Sequence, residues 1–400
     1  MWKPKNLIEA LLPIYILDLI FCHGVSKFPN ASKSKFNNSF MFAVTTTIIF
    51  FICLIFSLLN HFHSTWINGE EIVYFILTVI VTLSMTVNII HGWIYRNDAV
   101  IINSRIIKVD EDLEKLGIPV DAQVEFIFSI KIAILWIAYS LFLNVIKIVW
   151  YPETLDLLSV TFVVFTIQHG YHVNFLIDLT FCLVTKHMKK RFENLNKLLL
   201  EIFDLQTNNL GQEVETEYKW AISRQTHLEK DFTEIIHKIK RIHLELGILC
   251  QELIKIYGIP IILAMIVAFF TITSQLLYIY VEIRDRKTET HVKILYIGSV
   301  TIWFIIASLK FFSINYVCAE TVNEWEQTGE IIHKLELESK DTNFQREIKQ
   351  FSMQILQNPL TFTPCGLLDL GYYFVRDFAG SVTTQLIILI QTYPMHNNTP

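Results

Sequence analysis

The chain is 400 residues long, 52% hydrophobic and 13% aromatic, with only 18% charged residues. Soluble domains carry about a quarter charged residues, so these proportions exclude an ordinary water-soluble globule. The net charge of −5 points to no particular partner, and six cysteines without paired spacing suggest neither a disulfide framework nor a zinc site.

From the N-terminus, Leu7 to Cys22 is apolar but interrupted by Glu9, Pro13 and Asp18, and no small-residue cleavage site follows it. It reads as an uncleaved interfacial or re-entrant helix rather than a signal peptide. Residues 1–40 therefore form a cytoplasmic segment ahead of the membrane domain. A hydrocarbon layer of about 30 Å needs roughly 20 mostly apolar helical residues. Seven stretches supply them, at 41–59, 71–93, 126–149, 158–185, 256–282, 293–318 and 366–391. The expected fold class is an all-α integral membrane protein with seven transmembrane helices. Four lie within 41–185, two within 256–318 and the last within 366–392, before a tail at 393–400. The last is the least apolar, because Asp369, Arg376 and Asp377 interrupt it.

Basic residues are retained on the cytoplasmic side of a membrane. One set of connections holds 25 Lys and Arg, whereas the other holds only Arg284, Arg286, Lys287 and Lys293. This places the N-terminus in the cytoplasm and the C-terminus outside. Sequons at Asn30 and Asn37 would be used only in the reverse orientation and are discounted as chance triplets. A third, at Asn397, would face outward.

The connection 186–255 carries Leu228, Phe232, Ile235, Ile239, Ile242, Leu246, Leu249 and Leu253 at alternating steps of four and three. That spacing stacks them on one helix face. Phe192, Leu195, Leu199 and Ile202 form a similar face, separated by the loop-like Asn208 to Thr216. A cytoplasmic helical hairpin is expected, whose faces are also open to neighbouring subunits. Residues 319–365 read as further anchor helices, with Ile348, Phe351 and Ile355 at helical spacing.

The densest polar cluster in any crossing is Gln168, His169, Tyr171, His172, Asn174 and Asp178. Polar groups at membrane depth face protein or water, so the cluster is an interhelical hydrogen-bond network or part of a ligand pocket. His169 and His172 share a helix face, but no second pair accompanies them and no metal site is expected. The outer halves of the third to sixth crossings can bring Trp136, Tyr139, Gln275, Tyr278, Ser299 and Trp303 toward Gln168, His169 and His172. Aromatic walls with a few hydrogen-bonding groups suit a small organic ligand. Lys131, Lys310 and Asp178 share a depth, which an ion pair or snorkelling explains. No phosphate loop, nucleophile elbow, redox pair or nucleic-acid-binding stripe occurs, so neither an enzyme, a cofactor nor a nucleic-acid partner is expected.

Thr384 to Thr392 reads Thr-Gln, five hydrophobics, Gln-Thr. It resembles the C-terminal signature of the insect gustatory receptor family, Thr-Tyr, five hydrophobics, Gln-Phe, with Gln385 and Thr392 as departures. Leu360 to Arg376 is similar to the lead-in of that family's last helix, and Leu12-Pro13 followed by Phe28-Pro29 to its opening. The resemblance implies a plasma-membrane receptor of chemosensory neurons, embedded in membrane lipids. It implies a ligand-gated cation channel opened by a small organic tastant, assembled as a homotetramer or with related receptors around four copies of the last helix. Spacing alone puts Thr384, Ile388 and Gln391 on one face; with Ile387 beside them and Thr392 at the family's gate position, these are the candidate pore and gate residues. A G-protein-coupled receptor would need the opposite orientation, and a transporter would more often show inverted repeats.

Overall fold

The computed structural model describes residue 4 and residues 6–21, 44–45, 47–56, 69–119, 121–149, 157–207, 232–284, 290–338 and 342–392. Cys22, Phe28-Pro29, the three sequons, Asn208 to Thr216 and Leu228 lie outside them. Among the described residues every regular element is helical. They are α1 (Leu7–Ala10), α2 (Leu12–Ile20), α3 (Thr47–Phe56), α4 (Gly69–Ile94), α5 (Arg96–Lys115), α6 (Ala122–Val149), α7 (Leu157–Thr207), α8 (Phe232–Arg284), α9 (Thr290–Glu338), α10 (Thr342–Gln357) and α11 (Tyr372–Thr392), with a 3-10 turn at Pro364–Gly366.

Local chemistry sets several helix ends. Asp121 Oδ1 accepts the backbone N–H groups of Gln123 and Val124 at 3.0 and 3.2 Å and so caps α6. Gly117, at φ 83°, terminates α5: its N–H donates to the Glu114 carbonyl and that of Ile118 to Leu113, the paired bonds of a left-handed C-cap. The last helix begins at Tyr372 rather than at 366, after Gly366 and Gly371 at positive φ.

The N-terminal segment, expected as an interfacial or re-entrant helix, packs one side against the protein and leaves Ile16 and Ile20 exposed on the other. α1 and α2 pack against α6, and Ile14, Leu17 and Asp18 are buried. Asp18 is fully enclosed and accepts from the Thr180 hydroxyl at 3.3 Å.

Among the described residues, four helices are long and apolar enough to cross a membrane: Phe75–Ile94, Ala122–Val149, Phe232–Arg284 and Lys293–Glu336. α3 is apolar but short. α7 and α11 fall outside that set because each carries the polar residues already noted. α7, α8 and α9 contain 51, 53 and 49 residues, so each is about 75–80 Å long at 1.5 Å per residue, more than twice the hydrocarbon thickness. They run through residues 185, 255 and 318 without a break. Their polar ends join α5 and α10 in one core, where Phe192, Leu199, Ile239, Leu246, Ile332, Phe344, Ile348 and Phe351 are buried together. His243 stacks on Trp325 at 4.0 Å between the edges of Phe192 and Phe351.

Ion pairs lock this end. Lys240 Nζ donates to Glu347 at 2.6 Å and holds its carboxyl below the usual carboxylate range. Arg191 donates through Nε and Nη2 to the two Asp110 oxygens at 2.6 and 2.7 Å, with both side chains buried. Removing one partner of such a pair strands a buried charge and costs about 3–5 kcal/mol, whereas an apolar replacement of both is often neutral. Asp110→Ala is therefore expected to lower the melting temperature of the detergent-solubilised protein sharply, and Asp110→Leu combined with Arg191→Met to restore most of the loss.

Candidate functional site

The polar residues of α7 separate into ties and open groups. A Cβ on Gly170 would lie 3.2 Å from Val81 Cγ1, so glycine here lets α4 approach α7 closely. One turn further on, Asn174 Nδ2 donates to the Val81 carbonyl at 3.1 Å and Asn88 Nδ2 donates to Asn174 Oδ1 at 3.0 Å. Small residues and side-chain amides of this kind hold membrane helices together, where burial of apolar surface gives no driving force. Another turn on, Asp178 pairs with Lys310 of α9 at 2.6 Å; Lys131 is exposed on α6. Asn174 and Asp178 thus tie α7 to α4 and α9.

His172 turns toward α6. Its Nε2 lies 3.2 Å from Asn144 Nδ2, and its ring meets Trp136 and Tyr139 edge-on at 6.4 and 6.5 Å. Tyr139 also lies against Phe175 at 5.0 Å. Trp136 is 4% exposed, and its indole N–H, Gln168 Oε1 and Ser140 Oγ have no hydrogen-bond partner among the described residues. Buried polar atoms are ordinarily satisfied, so these are groups a ligand or a water can engage.

His169 reaches different neighbours, although it shares a helix side with His172. It stacks on Phe21 at 5.7 Å and meets Phe50 of α3 at 4.8 Å. Phe21 also contacts the Trp136 ring at 5.1 Å, so a chain of aromatic contacts runs from His172 through Trp136 and Phe21 to His169. Beside it lies a hollow of about 410 Å³ lined by Phe21, Phe50, Cys53, Met85, Phe165, Thr166 and His169, among others, within the size range of small-molecule sites.

Trp303 makes a separate set of contacts. It meets Tyr171 at 5.8 Å, Lys147 lies over its ring at 5.6 Å, and its indole N–H lacks a partner among the described residues. Gln275 and Tyr278 on α8 and Ser299 on α9 are half-buried, while the ring and hydrogen-bond contacts of His172 go to α6. The sequence pattern missed Phe21, Phe50 and Asn144: the first two are aromatics within apolar runs, and the last is one amide in a long crossing.

α11 is packed on one side only. Phe378 stacks on Phe311 at 4.0 Å and meets Phe269 edge-on, and Phe374 lies 5.9 Å from Phe311. Val382 is the one residue of α11 that is buried. At roughly 100° per residue, Thr384, Ile388 and Gln391 point away from Val375, Phe378 and Val382, and all three are exposed. Ile387 is exposed beside them, whereas Thr392 lies toward the flank and returns its hydroxyl to the Ile388 carbonyl at 2.9 Å. The Thr384 hydroxyl likewise donates to Gly380 O at 2.9 Å, so neither threonine needs a partner helix.

Residues 15–396 match the model of the 7tm Chemosensory receptor family. Among relatives in Drosophila melanogaster, Putative gustatory receptor 28b is 24% identical over 241 residues, covering 55% of this chain and 50% of that protein. Gustatory receptor for bitter taste 66a is 23% identical over 159 residues (40% of this chain, 30% of the relative), and Gustatory receptor for sugar taste 43a is 21% identical over 149 residues (37% and 34%). The chain thus spans half or less of the length of these relatives. In three dimensions it is similar to the insect olfactory receptor OR5 from Machilis hrabei, with a TM-score of 0.58 and 14% identity over 95% of this chain and 97% of that one. The same receptor in complex with eugenol gives 0.59 and 14% over 96% and 98%.

Gly170→Val should force Val81 aside and strain the Asn174 bond to its carbonyl. Overpacking of this kind costs about 1–3 kcal/mol, to be read as a fall in the thermal midpoint of the solubilised protein, with Gly170→Ala costing less.

Proposed function

Because the chain belongs to the 7tm chemosensory receptor family, we propose that it is a gustatory-type receptor subunit forming a ligand-gated, non-selective cation channel. Four copies assemble with their α11 helices around a central conduit, alone or with related receptors, in the plasma membrane of chemosensory neurons. Seven crossings put the N-terminus in the cytoplasm and the C-terminus outside. The polar ends of α7, α8 and α9, with α10, make the cytoplasmic anchor between subunits. The observation that carries this reading is the one-sided packing of α11, which leaves Thr384, Ile388 and Gln391 uncovered in the single chain. Four such faces make an aliphatic constriction beside a ring of amides, which sheds water when narrow and replaces hydration when wide.

The ligand is a small organic molecule of the size and polarity of eugenol, the compound bound in the OR5 complex. Trp136, Tyr139, His172 and Gln168 receive it: aromatic rings give the walls, and the unpartnered indole N–H and amide oxygen give orientation. His169 borders the pocket through Phe21, and Trp303 of α9 approaches α6 through Lys147, whereas Gln275, Tyr278 and Ser299 lie on α8 and α9 apart from this group. Occupation of the pocket separates α6, α7 and α9, and α9 carries that movement to α11.

Two measurements on cells expressing the chain test this reading. Ile388→Ser, which makes the constriction polar, should raise basal cation current; an unchanged leak at normal surface expression counts against the assignment. For any small organic that evokes current, Trp136→Ala or His172→Ala should shift the half-maximal concentration upward by about tenfold, equivalent to roughly 1.4 kcal/mol.

A further inference from the structure

The open face of α11 extends past the candidate pore residues toward the start of the helix. At roughly 100° per residue, Asp377, Gly380, Thr384, Ile388 and Gln391 fall within about a quarter-turn of one another, on the side away from Phe378 and Val382. The side chain of Asp377 is 67% exposed and that of the neighbouring Arg376 is 74% exposed. Arg376 Nη2 lies 3.0 Å from Asp377 Oδ1, and its guanidinium sits 5.7 Å from the Tyr373 ring. A Cβ placed on Gly380 would meet nothing within 4 Å, so no neighbour among the described residues requires a glycine there.

A charged pair this exposed, five residues into a membrane-crossing helix, cannot face hydrocarbon without a large penalty; such residues face a protein interior or a water-filled cavity. The chain's own packing lies on the other side of α11. Asp377 is in line with Thr384 and Ile388, whereas Arg376 is rotated about 100° toward the flank. The carboxylate therefore presents itself to whatever the stripe faces, and the guanidinium does so less directly. Both contacts from Arg376 fall on Oδ1 of the carboxylate.

We propose that Asp377 lines the inner, cytoplasmic mouth of the conduit and is a determinant of its preference for cations, with Gly380 keeping the wall thin between it and Thr384. This rests on the reading of α11 as the pore helix. Four copies give a ring of carboxylates that concentrates cations at the entrance and raises the conductance of divalent ions in particular.

The test uses the full chain in a background that conducts without ligand, Ile388→Ser. Reversal potentials are measured in NaCl gradients and after exchange of sodium for calcium. Asp377→Asn should lower the calcium-to-sodium permeability ratio and the unitary conductance by about twofold or more, Asp377→Lys should lower both further, and Asp377→Glu should preserve them. Separately, Asp377→Cys in a Cys365→Ser background should react with a membrane-impermeant cationic thiosulfonate applied from the cytoplasmic side. Unchanged reversal potentials and conductance in the Asn and Lys variants, or a thiol at 377 that does not react, would overturn the role of Asp377 while the leak itself still supports the pore helix. Absence of any standing current from well-expressed Ile388→Ser would remove both.

Discussion

A helix in a bilayer satisfies its own backbone but must turn each polar side chain toward protein or water, and this constraint organises what α7 and α11 do. In α7 most of the polar groups find protein. Asn174 is held by Asn88 and the Val81 carbonyl, Asp178 by Lys310, and His172 by Asn144. These ties leave a few groups over, among them the Trp136 indole and the Gln168 amide oxygen, which have no hydrogen-bond partner among the described residues. In α11 the Tyr372 hydroxyl reaches Glu320 of α9 and the Thr384 and Thr392 hydroxyls return to their own backbone, while Arg376, Asp377 and Gln391 stay exposed in the single chain.

α11 is held to the rest of the bundle through α8 and α9. The segment between α10 and α11 passes so close to α8 that a Cβ on Gly258 would lie 3.2 Å from Cys365 Sγ. Cys365 itself takes φ 50° to make that turn, a conformation that costs a non-glycine residue of the order of 1–3 kcal/mol and persists only where its surroundings hold it. Gly371 N–H then donates to the buried Asn315 Oδ1 of α9 at 3.1 Å, and the Tyr372 hydroxyl donates to Glu320 at 2.9 Å. The start of α11 is therefore hung from α9, the helix that also carries Trp303 and Lys310.

The match in fold to OR5 at 14% identity shows how little of the architecture depends on particular side chains. A helix needs only a residue class at each of its positions, so a fold of this kind tolerates extensive substitution. Within the stretch that resembles the family's C-terminal signature, Gln385 and Thr392 are the two departures.

What the sequence determined alone was whatever is written within one helix. Helical periodicity marked the apolar faces at Phe192 to Ile202 and Phe232 to Leu253, hydropathy marked the long apolar helices, and the common depth of Lys131, Lys310 and Asp178 left an ion pair or snorkelling open, between which the structure chose Asp178 with Lys310. Tertiary structure decided which side of each apolar helix meets protein. It enclosed Asp18 in the bundle, sent His169 to Phe21 and Phe50 but His172 to Trp136 and Asn144, and packed α11 through Phe374, Phe378 and Val382. The physical reason lies in the solvent: lipid is as apolar as a protein core, so an apolar residue of a membrane helix carries no mark of whether a neighbouring helix or a lipid chain will cover it.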